Sequence, residues 1–474
     1  MKRKTKIVCT LGPSVDSREM IGKLIDAGMN VARLNFSHAN HEEHKNRIQM
    51  VREIAKEKGR IVGILADTKG PEIRTGKFEH DAVTFKKGDI VDVVSENIVG
   101  TKQSFHVDSQ ELFEDIQVGQ YILIDDGKMR LDILEKKPGV LTCEIFNNGV
   151  IKTKKGVNVP NVKLSMPFVS QKDREDIIFS AQEGVDMFAL SFVRRKEDVL
   201  EVKEILASVG KPYIEIIAKI ENQEGVDNLD DILSVADGVM VARGDLGVEV
   251  STQLVPIYQK KIITRANELG KPVITATHML ESMMHNPRPT RAEASDVANA
   301  ILDGSDAIML SGESAAGDYP IEAVLTMDTI AKAIEETINF QTRLNKMSAF
   351  ASQTVSDAIG VAVAQTALTL PKAEVIMAFT ETGGTAKRLC KFKPSVPIVA
   401  ITNSEETARK LTYYFGVHAA IRKNVTDINA YDKVATDVAL DYGFEVGTTI
   451  IITSGWAQQH GTTNTLRIID VEKR

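Results

Sequence analysis

Apolar and polar positions along this chain follow two rhythms. In the first, compact apolar runs alternate with amphipathic stretches of helical period. Lys4 to Gly12 reads as a strand ending in Gly12-Pro13, Arg18 to Ala27 as a helix closed by Gly28, and Met29 to Phe36 as a second strand. A helix over Ala39 to Lys58, with Gly59 behind it, and a strand over Ile61 to Asp67 complete a βαβαβ unit. Short connections of this kind imply a parallel sheet covered by helices.

From Pro71 to about Pro167 the second rhythm takes over, with short strands and frequent turn signals. The strands read as Val83 to Phe85, Ile90 to Val94, Tyr121 to Ile124, Arg130 to Leu134 and Leu141 to Ile145. Turns such as Lys87-Gly88-Asp89, Asp126-Gly127-Lys128 and Asn147-Asn148-Gly149 separate them. This is a small all-β module, inserted through two neighbouring linkers that allow it to swing as a lid.

After Pro167 the first rhythm returns. A helix opens at Ser170 with a capping-box pattern to Asp173. Strands then read over Met187 to Phe192, Ile216 to Glu221, the run ending at Ala242, Val273 to Thr277 and Ala307 to Leu310, with helices between them and a last one from Pro320 to about Asn339. Three strands before the insertion and five after it predict a (β/α)8 barrel interrupted behind its third strand. Phe340 to Gln353 is polar and reads as an irregular boundary, and a C-terminal open α/β sheet follows. The expected domains are residues 1–70 with 168–340, 71–167, and 345–474.

Barrel enzymes collect their chemistry at the C-terminal ends of the strands. Those ends supply Arg33, Asn35 and Ser37; Asp67, Thr68 and Lys69; Lys219 and Glu221; Arg243, Gly244 and Asp245; Thr275 and Thr277; and Ser311 and Glu313. Lys219 and Glu221 are two apart, so a strand turns them to one face. Glu221 and Asp245 are hard oxygen donors suited to Mg²⁺ or Mn²⁺ with water and substrate completing the shell. Asn35, Ser37, Asp67 and the Thr68 carbonyl make a weaker oxygen set, which reads either as a monovalent-cation cage or as a structural hydrogen-bond network. Gly244-Asp245 and the amides behind them could cradle an anion, with Arg33, Lys219 and Arg74 supplying positive charge. Neither a P-loop motif nor a GxGxxG fingerprint occurs.

Composition narrows the picture. The 474 residues are 43% hydrophobic and 26% charged, with a formal net charge of −7, which argues against a duplex nucleic-acid surface. The three cysteines, Cys9, Cys143 and Cys390, are far apart, as expected in a reducing compartment. No apolar run approaches the ~20 residues of a membrane span, and no signal-peptide pattern follows Met1.

Several blocks together resemble the pyruvate kinase family: ARLNFSH over 32–38, DTKGPEIRTG over 67–76, IIAKIENQEGV over 216–226, ARGDLG over 242–247, NPRPTRAEASDVANA over 286–300 and LSGESA over 310–315. The resemblance runs from Lys4 to Thr465 and implies a barrel with a β lid and a C-terminal regulatory domain. It implies phosphoryl transfer from phosphoenolpyruvate to ADP. Lys219 would stabilise the phosphoryl in transit, Glu221 and Asp245 would hold Mg²⁺, and Arg33, Gly244, Asp245 and Thr277 would seat the substrate. Asn35, His38, Arg74 and Arg195 would meet the nucleotide. Thr277, Ser311 and Glu313 would lie near a water relay that protonates the enolate. K⁺ would take Asn35, Ser37, Asp67 and Thr68, and Glu72 looks like the potassium-dependent form of the family. Thr380, Thr382, Gly383, Gly384 and Thr385, with Trp456, resemble an effector-phosphate loop for a sugar-phosphate or nucleotide effector. His278 stands where the family usually has Gln, and Ala457 to His460 lack an arginine frequent in sugar-phosphate-regulated relatives. The resemblance further implies a cytoplasmic homotetramer. Two other readings share parts of this pattern: a metal-dependent lyase or aldolase, which needs no nucleotide lid, and a catalytically silent metabolite sensor.

Overall fold

The computed structural model describes residues 3–423, 425, 428–455 and 463–473. Eight parallel strands close into a barrel: β1 (Lys6–Thr10), β2 (Val31–Asn35), β3 (Gly63–Asp67), β4 (Met187–Leu190), β5 (Glu215–Ile220), β6 (Gly238–Ala242), β7 (Val273–Ala276) and β8 (Ala307–Leu310). The expected barrel is therefore present, with the insertion behind β3.

Alternation along the strands sorts each side chain. Ile7, Cys9, Ala32, Leu34, Ile64 and Ala66 face outward and pack with the surrounding helices. Val8, Val31, Leu65, Met187, Ile217, Met240 and Ile274 face inward and fill the barrel. The same period places Arg33, Asn35, Asp67, Ser191, Lys219 and Glu221 on the inward stripe, one or two steps further along, where the barrel opens.

The opposite end is closed by a repeated device. The residue before each even-numbered strand accepts a hydrogen bond from an amide at the start of the preceding strand. Asn30 Oδ1 takes Ile7 N at 3.0 Å, Asp186 Oδ2 takes Ile64 N at 2.8 Å, Asp237 Oδ2 takes Ile216 N at 2.9 Å and Asp306 Oδ2 takes Val273 N at 3.0 Å. Two of these carboxylates also fasten the C-terminal domain: Asp186 accepts from Arg409 Nε at 2.8 Å, and Asp306 pairs with the buried Lys393. Glu215, the first residue of β5, pairs with Lys387 and accepts from the Tyr413 hydroxyl at 2.7 Å. The barrel floor and the C-terminal domain thus share one core, in which barrel residues pack with Tyr413, Tyr414 and Phe415.

The inserted module has its own core around Phe85, Phe105, Leu131 and Ile145. It holds a seven-stranded sheet and a separate strand pair. Its entry strand Ile73–Arg74 pairs antiparallel with its return strand Gly156–Asn158, so the two linkers run side by side. The C-terminal sheet has strands β9 (Ala373–Phe379), β10 (Ile398–Thr402), β11 (Val417–Ile421), β12 (Thr449–Ser454) and β13 (Thr465–Asp470) in the order β11-β10-β9-β12-β13. All neighbours are parallel except the edge strand β13, the pattern of an open doubly wound sheet.

One sequence expectation fails here. The stretch read as irregular holds a helix, Phe340–Ser348, capped by the Asn339 side chain on Thr342 N. Its polar surface hid it, because only Leu344 and Met347 are fully buried, with Phe340 packed partly against the core.

Candidate active site

The inward stripes of β2, β3, β4 and β5 converge on one ammonium. Lys219 Nζ lies 2.7 Å from Ser191 Oγ, 2.9 Å from Glu221 Oε1 and 3.1 Å from Asp67 Oδ1. Asp67 is shared, since its Oδ2 accepts from Arg33 Nε at 2.6 Å. Arg33 in turn donates through Nη1 to the Thr10 hydroxyl at 2.9 Å. All of these side chains are buried.

Burial alone would discharge Lys219, but the carboxylates of Asp67, Glu221 and Asp245 hold it charged and raise its pKa above the ordinary value. Asp67 sits below the usual carboxylate range, because Arg33 and Lys219 overcome its desolvation. Glu221 goes the other way. Burial, reinforced by the Asp245 charge, pushes it up to about 8. Its Oε2 accepts from Phe192 N at 2.6 Å, while Oε1, although close to Lys219, has no partner at hydrogen-bond angles. A fully buried carboxylate with one oxygen unsatisfied and a second carboxylate in its field fits a hard divalent cation. The two acids would contribute two of the ligands, leaving the rest to water and substrate. Among the described residues no group of three or more His, Cys, Asp or Glu side chains forms a metal site.

Strain marks the β7 end. Thr277 has φ +71° and His278 φ +55°, conformations that a β-branched residue in particular resists. Arg243 clamps this turn, donating to Thr277 O at 2.8 Å and to Asp296 at 2.7 Å. Gly244 packs directly beneath it: a Cβ there would stand 2.7 Å from Thr277 Cγ2. Asp245 follows in the first turn of the helix Arg243–Glu249.

The other sequence candidates fall into place unevenly. Asn35 Oδ1 accepts from Ser37 N at 3.1 Å, and the Thr68 carbonyl accepts from Ser191 Oγ at 2.7 Å, so both stand at the same rim as Asp67. His38 is exposed near them, with its carbonyl bound to His44 Nε2. Arg74 is folded onto Glu72 at 2.7 Å and onto the Lys154 carbonyl at 2.8 Å, at the mouth of the insertion. Arg195 stays apart from the cluster: its side chain is exposed and lies 3.5 Å from Asp198 on its own helix. Glu313 is fully buried, its oxygens taken by Leu280 N and Ser311 N at 3.0 and 2.8 Å. In the C-terminal domain, Thr380 Oγ1 accepts from Gly383 N at 3.0 Å, Gly383 has φ +90°, and the helix Gly384–Lys391 starts there. The buried Thr385 hydroxyl meets Thr463 Oγ1 at 3.0 Å. Thr382 belongs to this turn, and Trp456 lies outside the described residues.

Ser191 was not among the sequence candidates. It is the position after β4 on the inward stripe, and carrying the strand-end reading through the fourth strand would have found it.

Buried cations and carboxylates gathered at the open end of a parallel barrel define an enzyme that handles an anionic substrate. The comparisons make the class specific. The model for the pyruvate kinase barrel domain matches residues 2–324, and that for the pyruvate kinase alpha/beta domain matches 357–469. A pyruvate kinase of Geobacillus stearothermophilus is 48% identical over 472 residues, covering 99% of this chain and 80% of that relative. One from Staphylococcus aureus (strain MRSA252) is 50% identical over 470 residues, covering 98% and 80%. The crystal structure of a pyruvate kinase from Cryptosporidium parvum superposes with a TM-score of 0.94 at 37% identity, covering 99% of this chain and 96% of that one. The protein is a phosphotransferase. It belongs to the pyruvate kinase family.

Proposed function

We propose that this chain moves the phosphoryl group of phosphoenolpyruvate to ADP, giving pyruvate and ATP. The observation that carries the reading is the Lys219 ammonium, held charged and buried between Ser191, Glu221 and Asp67 at the barrel mouth. It stands where a transferring phosphoryl gathers negative charge, and a preorganised cation in a water-poor site stabilises such charge strongly. Arg33 takes the same phosphoryl, held in place by Asp67 and Thr10. Gly244, Asp245 and the Thr277 hydroxyl seat the carboxylate end of the substrate. Glu221 and Asp245 hold Mg²⁺ or Mn²⁺, which when bound neutralises charge on substrate oxygens. Asn35, Ser37, Asp67 and Thr68 hold K⁺. Arg74, Asn35 and His38 meet the nucleotide as the inserted module closes, and Arg195 turns from Asp198 to join them.

The Gly/Thr turn over Thr380 to Thr385, with Trp456, receives a phosphorylated effector, and the chain works as a cytoplasmic homotetramer. Among the described residues no helix is long and apolar enough to cross a membrane. The test is simultaneous measurement of pyruvate and ATP from phosphoenolpyruvate and ADP, with Mg²⁺ and K⁺ omitted in turn. Equimolar products that fall on each omission support the reading. Pyruvate released without ATP would point instead to a lyase or phosphatase.

A further inference from the structure

The four residues behind β4 join two places. Ser191 Oγ meets Lys219 Nζ at 2.7 Å, and Phe192 N donates to Glu221 Oε2 at 2.6 Å. Phe192 has φ +57° and Val193 is fully buried, so this short stretch has little freedom. Arg194 then sends its side chain to the return linker of the inserted module. Its Nη1 donates to Leu164 O at 2.9 Å and its Nη2 to Met166 O at 3.2 Å.

The linker otherwise belongs to the insertion. Val162, Leu164 and Met166 pack against the insertion's core. Ser165 N, between the two carbonyls, donates to Asp115 Oδ2 at 2.6 Å, at the end of the helix Gln110–Asp115. Residues 159–170 form neither strand nor helix, so no ladder satisfies their carbonyls. Arg194 is rooted in the barrel instead: its N donates to Asp198 Oδ2 at 2.9 Å, and its carbonyl accepts from Asn228 Nδ2 at 2.9 Å. Asp198 does not hold the guanidinium, since Nε lies 3.8 Å from Oδ2 and is buried without a hydrogen-bond partner. The two linker carbonyls orient the guanidinium fork.

We propose that Arg194 is the positioning residue that sets the angle of the inserted module over the barrel mouth. Residues 191–194 form one short lever. Its near end holds Lys219 and Glu221, and its far end holds the linker carbonyls. Whatever occupies the Lys219 and Glu221 site is thereby tied to the angle at which the module sits. The kinetic consequence of this lever rests on the phosphoryl-transfer reading, whereas the angle itself is a property of the fold.

The test reads the angle directly. Lys137 on the insertion and Glu57 on the barrel are exposed, and the three native cysteines are buried, so Lys137→Cys with Glu57→Cys takes two spin labels selectively. Label-to-label distances are measured by pulsed dipolar spectroscopy on the full-length protein, with Arg194 intact, with Arg194→Lys and with Arg194→Gln. Both variants should broaden or shift the distance distribution, because a lysine ammonium does not bridge two carbonyls as the guanidinium fork does. In unlabelled protein, Arg194→Lys should raise KM for ADP ~10-fold, the worth of one charge-assisted hydrogen bond, with KM for phosphoenolpyruvate little changed. A distribution that lysine leaves unchanged overturns the proposal, whatever the folding of the glutamine variant, because it reduces Arg194 to a charge. An unchanged KM for ADP in an active enzyme overturns it also. A changed distribution in a protein that forms no ATP supports the lever and fails the proposed reaction instead.

Discussion

Replacing Gly244 with alanine probes the packing that seats the strained turn after β7. The new methyl would stand 2.7 Å from Thr277 Cγ2 and 3.5 Å from Thr277 Cβ, where ordinary contact begins near 3.4 Å. Gly244 is not one of the positive-φ glycines, so its own backbone accepts alanine and the conflict is purely steric. Thr277 yields reluctantly: it is β-branched, its φ is +71°, and Arg243 holds its carbonyl at 2.8 Å. Relief therefore needs a shift of several tenths of an ångström in a residue we place against the substrate. Overpacking of this kind costs ~1–3 kcal/mol of stability, and misplacement approaching 1 Å at a reacting site costs up to about 10²-fold in rate. We expect Gly244→Ala to lower kcat/KM for phosphoenolpyruvate by ~10–100-fold, with a fall in Tm of a few degrees. Thr277→Ser removes the clashing Cγ2 and keeps the hydroxyl. The double variant should recover at least ~10-fold over Gly244→Ala in steady-state assays of all four proteins. An additive cycle, with no rescue by serine, would refute the steric account.

Other consequences follow from the same contacts. Ser191→Ala removes the nearest acceptor of Lys219 and frees the Thr68 carbonyl, so kcat should fall ~10-fold with KM for phosphoenolpyruvate little changed; a pure KM effect would contradict a positioning role. Lys393→Met strands the buried Asp306 carboxylate at the barrel floor, and denaturant unfolding should show a loss of ~3–5 kcal/mol. His44 is buried, stacks on Phe36 at 4.1 Å and is pushed down to about 4, chiefly by burial. Its unfolded form binds a proton below its ordinary pKa while the folded form refuses it, so stability should rise as pH climbs from about 4 to about 6.5, by about 3 kcal/mol from this group. His44→Phe should flatten that part of the curve, and an unchanged slope would remove the assignment.

The barrel was readable because each of its strands is an apolar run with a polar end, and helices such as Arg18–Ala27, His41–Glu57, Gln171–Gln182 and Arg291–Asp303 carry side-chain caps. The rim was readable for the same reason, since alternation leaves Arg33, Asp67 and Lys219 no other face. The misses have physical causes. The expected fourth and seventh strands ran on to Phe192 and Thr277, but both residues have positive φ, and the strands stop at Leu190 and Ala276. Site strain overrides the β-propensity of those side chains there. In the insertion, Ile73–Arg74, Ser104–His106 and Gly156–Asn158 are too short for alternation to register, and the helix Gln110–Asp115 is a single capped turn and a half. The belt of Asn30, Asp186, Asp237 and Asp306 was invisible because each is only a polar residue before an apolar run, and its meaning appears only when consecutive strands become neighbours.

The central claim is that a charged Lys219, poised among Ser191, Glu221 and Asp67, carries the transferring phosphoryl. Its most direct test is the rate of ATP formation by Lys219→Met with phosphoenolpyruvate, ADP, Mg²⁺ and K⁺ all saturating, on protein shown to melt as the wild type does. The account expects a fall of at least ~10³-fold, the scale of losing a preorganised charge in a buried site. A variant turning over within tenfold of the wild type would contradict it.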